Sequence, residues 1–285
     1  MMRTKKILAL VAVVASLVFS GCSNKKLGTS EENAPKVVSA YLIGKIMSSA
    51  EVSAKLKGAG FEVLGTYTVN KKNKLETVVF TNDTLKAMAN RPNRGFAALG
   101  RVLIDGKNNQ ISIANPVYFG KAFMQQDADY PGMIELKETL METFSGLQES
   151  SDKWSYVGLT NYHFMVAMPY YQDSTVVGEG PTQELLKKAQ EYKKGALLLF
   201  TLKLAEGKYL LGYDLSRRTA RFPEKIGVDK AGLLPYTILI ENNEARIMAP
   251  KFYLAVAYPQ LSMGQFMKIA TVPGAIETDL KKPFQ

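Results

Sequence analysis

The chain carries one cysteine in 285 residues. That excludes an internal disulfide framework and any Cys-rich zinc or iron–sulfur site. It carries one histidine, His163. A multi-histidine metal cage is therefore excluded, and imidazole acid–base chemistry rests on one residue. There is no Gly-x-Ser-x-Gly nucleophile elbow. There is no phosphate-cradling loop either: Gly178-Glu179-Gly180 lacks a following glycine and a Lys-Ser/Thr pair. Beyond Phe19 no apolar run is long enough to span a bilayer. What is present is ordinary for a packed protein, with 46% hydrophobic and 22% charged residues. The length suggests about two domains. The formal charge is +10.

The N-terminus reads as an address. Arg3, Lys5 and Lys6 precede the 13-residue apolar run Ile7–Phe19. A helix of that length covers about 20 Å, short of a hydrocarbon core of roughly 30 Å. A basic head, a short apolar stretch and small residues at its end define a secretory signal. The end, Ser20-Gly21-Cys22, resembles the lipobox of bacterial lipoproteins. That resemblance implies cleavage after Gly21 and acylation of Cys22, the sole thiol. Ser23 rather than Asp after the cysteine favours the outer membrane. Losing residues 1–21 removes three positive charges and leaves +7. The polar stretch that follows, within 22–36, is expected to be a tether of roughly 20 Å reach.

The body contains an internal repeat. Val102-Leu103-Ile104-Asp105 leads through a polar turn to Ile111–Asn115 and then Pro116-Val117-Tyr118-Phe119. Ile238-Leu239-Ile240-Glu241 leads through Asn242-Asn243 to Ile247–Ala249 and then Pro250-Lys251-Phe252-Tyr253. Pro131-Gly132-Met133-Ile134-Glu135 recurs as Pro273-Gly274-Ala275-Ile276-Glu277. Three matches in one order divide the body into repeats at 37–149 and 150–285.

Local signals give each repeat the order β-α-β-β-α-β-β. Val38–Ile43 reads as a strand, and Ser48-x-x-Glu51 as a capping box opening a helix closed by Gly58 or Gly60. Phe61–Val69 and Leu75–Thr81 follow as strands, and Asn82 as the cap of a second helix. Leu99–Ile104 and Gln110–Ala114 form a hairpin, and Met133–Phe144 a helical tail. In the second repeat the expected strands are Tyr162–Met168, Ala196–Leu204, Lys208–Tyr213, Thr237–Glu241 and Glu244–Met248. Pro181 starts one helix and Asp214 caps another. The expected fold is α+β, with antiparallel sheets, helices over one face, and the repeats packed as an internal pseudo-dimer.

Lys57-Gly58-Ala59-Gly60 before Phe61-Glu62-Val63-Leu64, with a capped helix ahead of the Val-Leu-Ile-Asp hairpin and its proline, resembles the domain-of-unknown-function 302 family. The resemblance covers roughly 37–148 and 155–280. It implies the same α+β fold and pairing of domains. It implies no catalytic residues, since the family has no settled activity.

The candidate sites are few. His163 and Met165 share one face of the expected strand and are weak copper candidates, because imidazole and thioether suit that metal. The carboxylates Glu135/Glu277 and Asp105/Glu241 recur at matched positions, as structural residues also would. Tyr118, Phe119, Phe252, Tyr253 and Trp154 are candidate linings of a ligand groove between repeats. The 28 lysines and 8 arginines are scattered and carry no aromatic-basic pattern, so no nucleic-acid partner is expected. The sequence thus points to a lipid-anchored, monomeric envelope protein without cofactor or catalytic residues, acting as a binding or structural module. The alternatives are a small-ligand or metal-binding accessory protein with its site between the repeats, and an enzyme of unrecognised type.

Overall fold

A computed structural model describes residues 34–71 and 74–285. The signal, Gly21, Cys22, Ser23 and most of the tether lie outside the described residues. The first half contains β1 (Val37–Ser39), β2 (Tyr41–Lys45), α1 (Ser49–Gly58), β3 (Glu62–Asn70), β4 (Leu75–Thr81), α2 (Asp83–Ala89), β5 (Gly100–Asp105), β6 (Gln110–Ala114), α3 (Pro116–Met124), α4 (Tyr130–Thr143) and β7 (Gln148–Glu149). The second contains β8 (Lys153–Ser155), β9 (Thr175–Glu179), α5 (Thr182–Glu191), β10 (Leu198–Ala205), β11 (Lys208–Tyr213), α6 (Pro223–Ile226), β12 (Tyr236–Glu241), β13 (Glu244–Ile247), α7 (Pro250–Ala257), α8 (Met263–Met267) and α9 (Val272–Lys281).

The protein is α+β with antiparallel sheets. One sheet runs β3-β4-β5-β6-β2-β7 and the other β10-β11-β12-β13-β9. Leaving out the added edge strand β7, the two orders correspond strand for strand. A two-stranded ribbon, β1 with β8, ties the start of the body to the link between halves. Buried side chains of both halves form one continuous core.

Local chemistry explains most boundaries. The Ser48 hydroxyl accepts from Glu51 N–H while the Glu51 carboxylate accepts from Ser48 N–H, closing the capping box. Asn82 Oδ1 accepts from Leu85 N–H at 2.9 Å and starts α2. Asn242 and Asn243 both adopt positive φ (54° and 61°), the backbone that a two-residue hairpin turn requires.

Two expectations need correction. Tyr162–Met168 forms no strand. Its alternation has no neighbouring strand to pair with, and the Tyr162 hydroxyl is tied instead to Ala255 O at 2.9 Å. The strand at that place in the order is β9, a short edge strand on β13. Asp214 caps no helix: its carboxylate accepts from Tyr67 O–H of the other half at 2.6 Å. The Pro-x-aromatic segments are the first turns of α3 and α7, with proline at the start of each. Glu135 sits in the second turn of α4, beyond the end where a dipole acts strongly.

Candidate functional site

The functional geometry lies where the halves meet. The 3-10 turn Gly95–Ala98 precedes β5 and packs on β11 and β12. The 3-10 segment Val228–Leu233 precedes β12 and packs on β4, β5 and β6. The exchange is reciprocal in detail. A Cβ at Gly95 would fall 2.3 Å from Leu239 Cδ1, and one at Gly232 would fall 3.1 Å from Leu103 Cβ. Leu103 and Leu239 are the matched leucines of the two repeated hairpins. Each of these leucines thus packs on a glycine of the other half.

Polar groups fix the docking. Lys208 and Glu241 form a buried pair at 3.0 Å, each side chain only 7% exposed. Lys208 Nζ also donates to Ala89 O and Arg91 O of the first half. Glu241 Oε1 accepts from Asn93 N–H at 2.6 Å. On the far side, Lys230 bonds Asp152 at 2.6 Å and also Asp229, and its ammonium lies 5.3 Å from the Tyr41 ring centre. Burial pulls Lys230 down, but these two carboxylates outweigh it and hold it above the ordinary lysine value.

The C-terminal end of α7 is buried, where its last carbonyls need partners. Tyrosines supply them: Tyr162 O–H donates to Ala255 O, Tyr118 O–H to Val256 O, and Tyr41 O–H to Ala257 O. Burial holds the Tyr41 and Tyr118 hydroxyls well above the ordinary phenol value. The expected aromatic groove is therefore not an open one. Tyr118, Phe252 and Tyr253 are at most 2% exposed, and Tyr253 O–H donates to Leu233 O. Phe119 is half-buried and packs edge-on against Tyr41 and Tyr118. Trp154 stands apart, partly exposed against Tyr162.

Two spaces remain at the junction. One is a hollow of about 20 Å³ bordered by Arg101, Ser112, Asp229 and Tyr253, with room for a single water-sized species. Arg101 Nε and Nη2 and Ser112 Oγ, beside this hollow, have no hydrogen-bond partner, nor does the buried Thr77 Oγ1. Thr77, Leu103 and Ser112 form one row across β4, β5 and β6, and Arg101 shares that face. The other space is a cleft of about 430 Å³, in the range of small-molecule sites. It is bordered by Asn93 and Arg94 from the first half and Gln172, Asn242 and Arg246 from the second, with Tyr171 beneath. Arg94 bonds Asp127 at 2.9 Å and lies 5.3 Å from the Tyr171 ring centre. Arg246 bonds Glu244 at 2.6 Å and also reaches Ser174. The cleft thus offers amides and paired guanidiniums rather than a nucleophile beside a base. Asn93, Arg94, Gln172 and Arg246 carry no motif in the sequence; positive φ at Asn93 is the kind of local signal that only coordinates reveal.

His163 lies in a loop, its Nδ1 2.8 Å from Met165 O, and the Met165 side chain is exposed. Among the described residues no three His, Cys, Asp or Glu side chains are grouped to hold a metal ion. Compared with protein-family models, curated proteins and solved structures, the chain matches none.

Proposed function

We propose that this chain is a lipid-anchored protein of a bacterial envelope, held by acyl chains on Cys22, whose body is a non-catalytic binding or structural module. One observation carries the reading: the only cysteine falls at the end of a basic, apolar and small-residue leader, in Ser20-Gly21-Cys22. Two acyl chains anchor stably where one does not. Ser23 directs the reading toward the outer membrane. The matched strand orders and the reciprocal Gly95–Leu239 and Gly232–Leu103 contacts support descent from one doubled segment. The likeness to the domain-of-unknown-function 302 family belongs to the same proposal. The test is mass spectrometry of the mature protein from bacterial membranes, with Cys22→Ser as control. An N-terminal acylated Cys22, lost together with membrane attachment in the variant, is expected. A mature chain with a free thiol overturns the anchor.

The cleft favours a second reading, a small polar ligand held between the halves. Asn93, Gln172 and Asn242 supply amide donors and acceptors, and Arg94 and Arg246 supply oriented guanidiniums. Native mass spectrometry of the envelope-purified protein would carry a bound mass that Arg246→Ala loses. An identical apo mass in both removes this reading.

A further inference from the structure

The anchor leaves open how the body sits on the membrane, and the surface addresses that. After the leader, the two longest stretches without Asp, Glu, Lys or Arg are 154–172 and 252–267. Far apart in sequence, they meet in the fold. The Phe164 ring lies 5.4 Å from Phe266, and the Tyr162 ring 6.2 Å from Phe252. Their buried side chains join the core, and their outward ones are uncharged: large apolar side chains stand beside Ser155, Asn161, Gln172, Gln260 and Ser262. Among the described residues ten large hydrophobic side chains are more than a third exposed. Eight of these lie at Val37, within 154–170 and at Met263 and Met267, with Val166 the most exposed at 87%. Met263 and Met267 are four residues apart on α8 and so share a face, while Phe266 between them turns inward. Contiguous exposed apolar surface of this kind marks a contact site.

The tether leads to this surface. β1 begins at Val37 and pairs with β8, placing Val38 opposite Trp154. Cys22 is fifteen residues before Val37, so even a fully extended chain holds that edge within about 54 Å of the anchor. Trp154, the only tryptophan, suits the membrane–water boundary, where indole rings concentrate. Lys153, Lys251 and Lys268 border the charge-free stretches and are exposed, as contact with anionic headgroups favours.

We infer that this face, centred on Trp154, Val166 and Met267, rests in the headgroup layer of the bilayer to which Cys22 is attached. The inference depends on the lipid-anchor reading. The fold then works as a body seated at its tether end.

The sole tryptophan makes the test direct. The full lipidated protein is reconstituted into phosphatidylcholine–phosphatidylglycerol vesicles with and without bromine on the acyl chains. Trp154 emission is expected to shift to the blue on insertion and to fall in the brominated vesicles. Val166→Asp with Met267→Asp, both at exposed positions, is expected to abolish that loss while the protein stays anchored and melts unchanged. An acylated protein whose Trp154 emission is the same in both vesicle types overturns this orientation and leaves the anchor standing. Emission that responds to protein density but not to bromine overturns it in favour of a second copy on this face. A chain with no acyl mass removes the anchor and the orientation together.

Discussion

The buried Lys208–Glu241 pair is the sharpest test of how the halves are joined. Glu241→Leu would leave the Lys208 ammonium buried with only Ala89 O and Arg91 O, and would strip Asn93 N–H of its acceptor. Removing one member of a buried pair costs about 3–5 kcal/mol, because the survivor keeps its desolvation penalty without its partner. Lys208→Met would leave the Glu241 carboxylate equally exposed to that penalty, though Asn93 N–H still bonds it. The double variant Lys208→Met/Glu241→Leu removes both charges. It should recover about 2 kcal/mol or more relative to the sum of the single losses, since charged partners in contact couple strongly. Complete recovery is not expected, because Asn93 N–H and two backbone carbonyls lose partners worth about 1–3 kcal/mol when buried. Urea unfolding of the four proteins, followed by circular dichroism, yields the cycle. Cooperative unfolding of both halves in one transition is part of the expectation, since they share one core. Single-variant losses below about 1 kcal/mol, or additive losses, would refute the claim that this pair holds loop 89–94 to the second sheet.

Tyr118→Phe should cost about 1–3 kcal/mol by leaving Val256 O, at the buried end of α7, without its donor; an unchanged urea midpoint would contradict the capping role. The folded phenols of Tyr41, Tyr118, Tyr236 and Tyr258 stay protonated well above the usual value, chiefly through burial. Unfolded phenols ionise near pH 10, so stability is full below that pH and is lost as pH rises above it, by about 1.4 kcal/mol per pH unit for each phenol. Melting temperatures from pH 9 to 12 should therefore drop steeply past pH 10, and a flat profile would tell against this burial. Gly232→Val should destabilise by about 1–3 kcal/mol, since its branches meet the β5 backbone side of Leu103. Gly95→Ala meets only the side-chain ends of Leu239 and Leu204 and should cost less, a ranking that thermal unfolding checks directly. Arg101→Met should change stability by under about 1 kcal/mol or raise it, because two guanidinium nitrogens have no partner to lose; a large loss would mean that Arg101 holds a group in its hollow.

Much of the fold is legible locally because its signals are local. The capping box at Ser48 and Glu51, the cap at Asn82, and the turns at Glu206-Gly207 and Asn242-Asn243 each depend on residues within one turn of chain. Near-continuous apolar runs then mark β4, β5, β11 and β12, which are buried on both faces. The repeat is legible for the same reason: matched hairpins and matched Pro-Gly helix starts impose the same short-range demands twice. The candidate site is not legible, because its members interact across large sequence separations. Lys208 with Ala89, Tyr67 with Asp214, and Tyr41 with Ala257 look like ordinary surface or core residues in a linear reading. A strand is recognisable only through its partner, so Tyr162–Met168 mimics one while the true edge strand, Thr175–Glu179, shows little pattern.

The sequence by itself determined the α+β class, the elements with strong local caps and turns, and the position of the only thiol. Tertiary structure alone decided that the halves share one core, that three tyrosines close the end of α7, and that two distant charge-free stretches meet through Phe164 and Phe266. The division follows from range. Hydrogen bonds within a turn of chain are encoded in neighbouring letters, whereas desolvation and side-chain pairing depend on which surfaces the completed fold brings together.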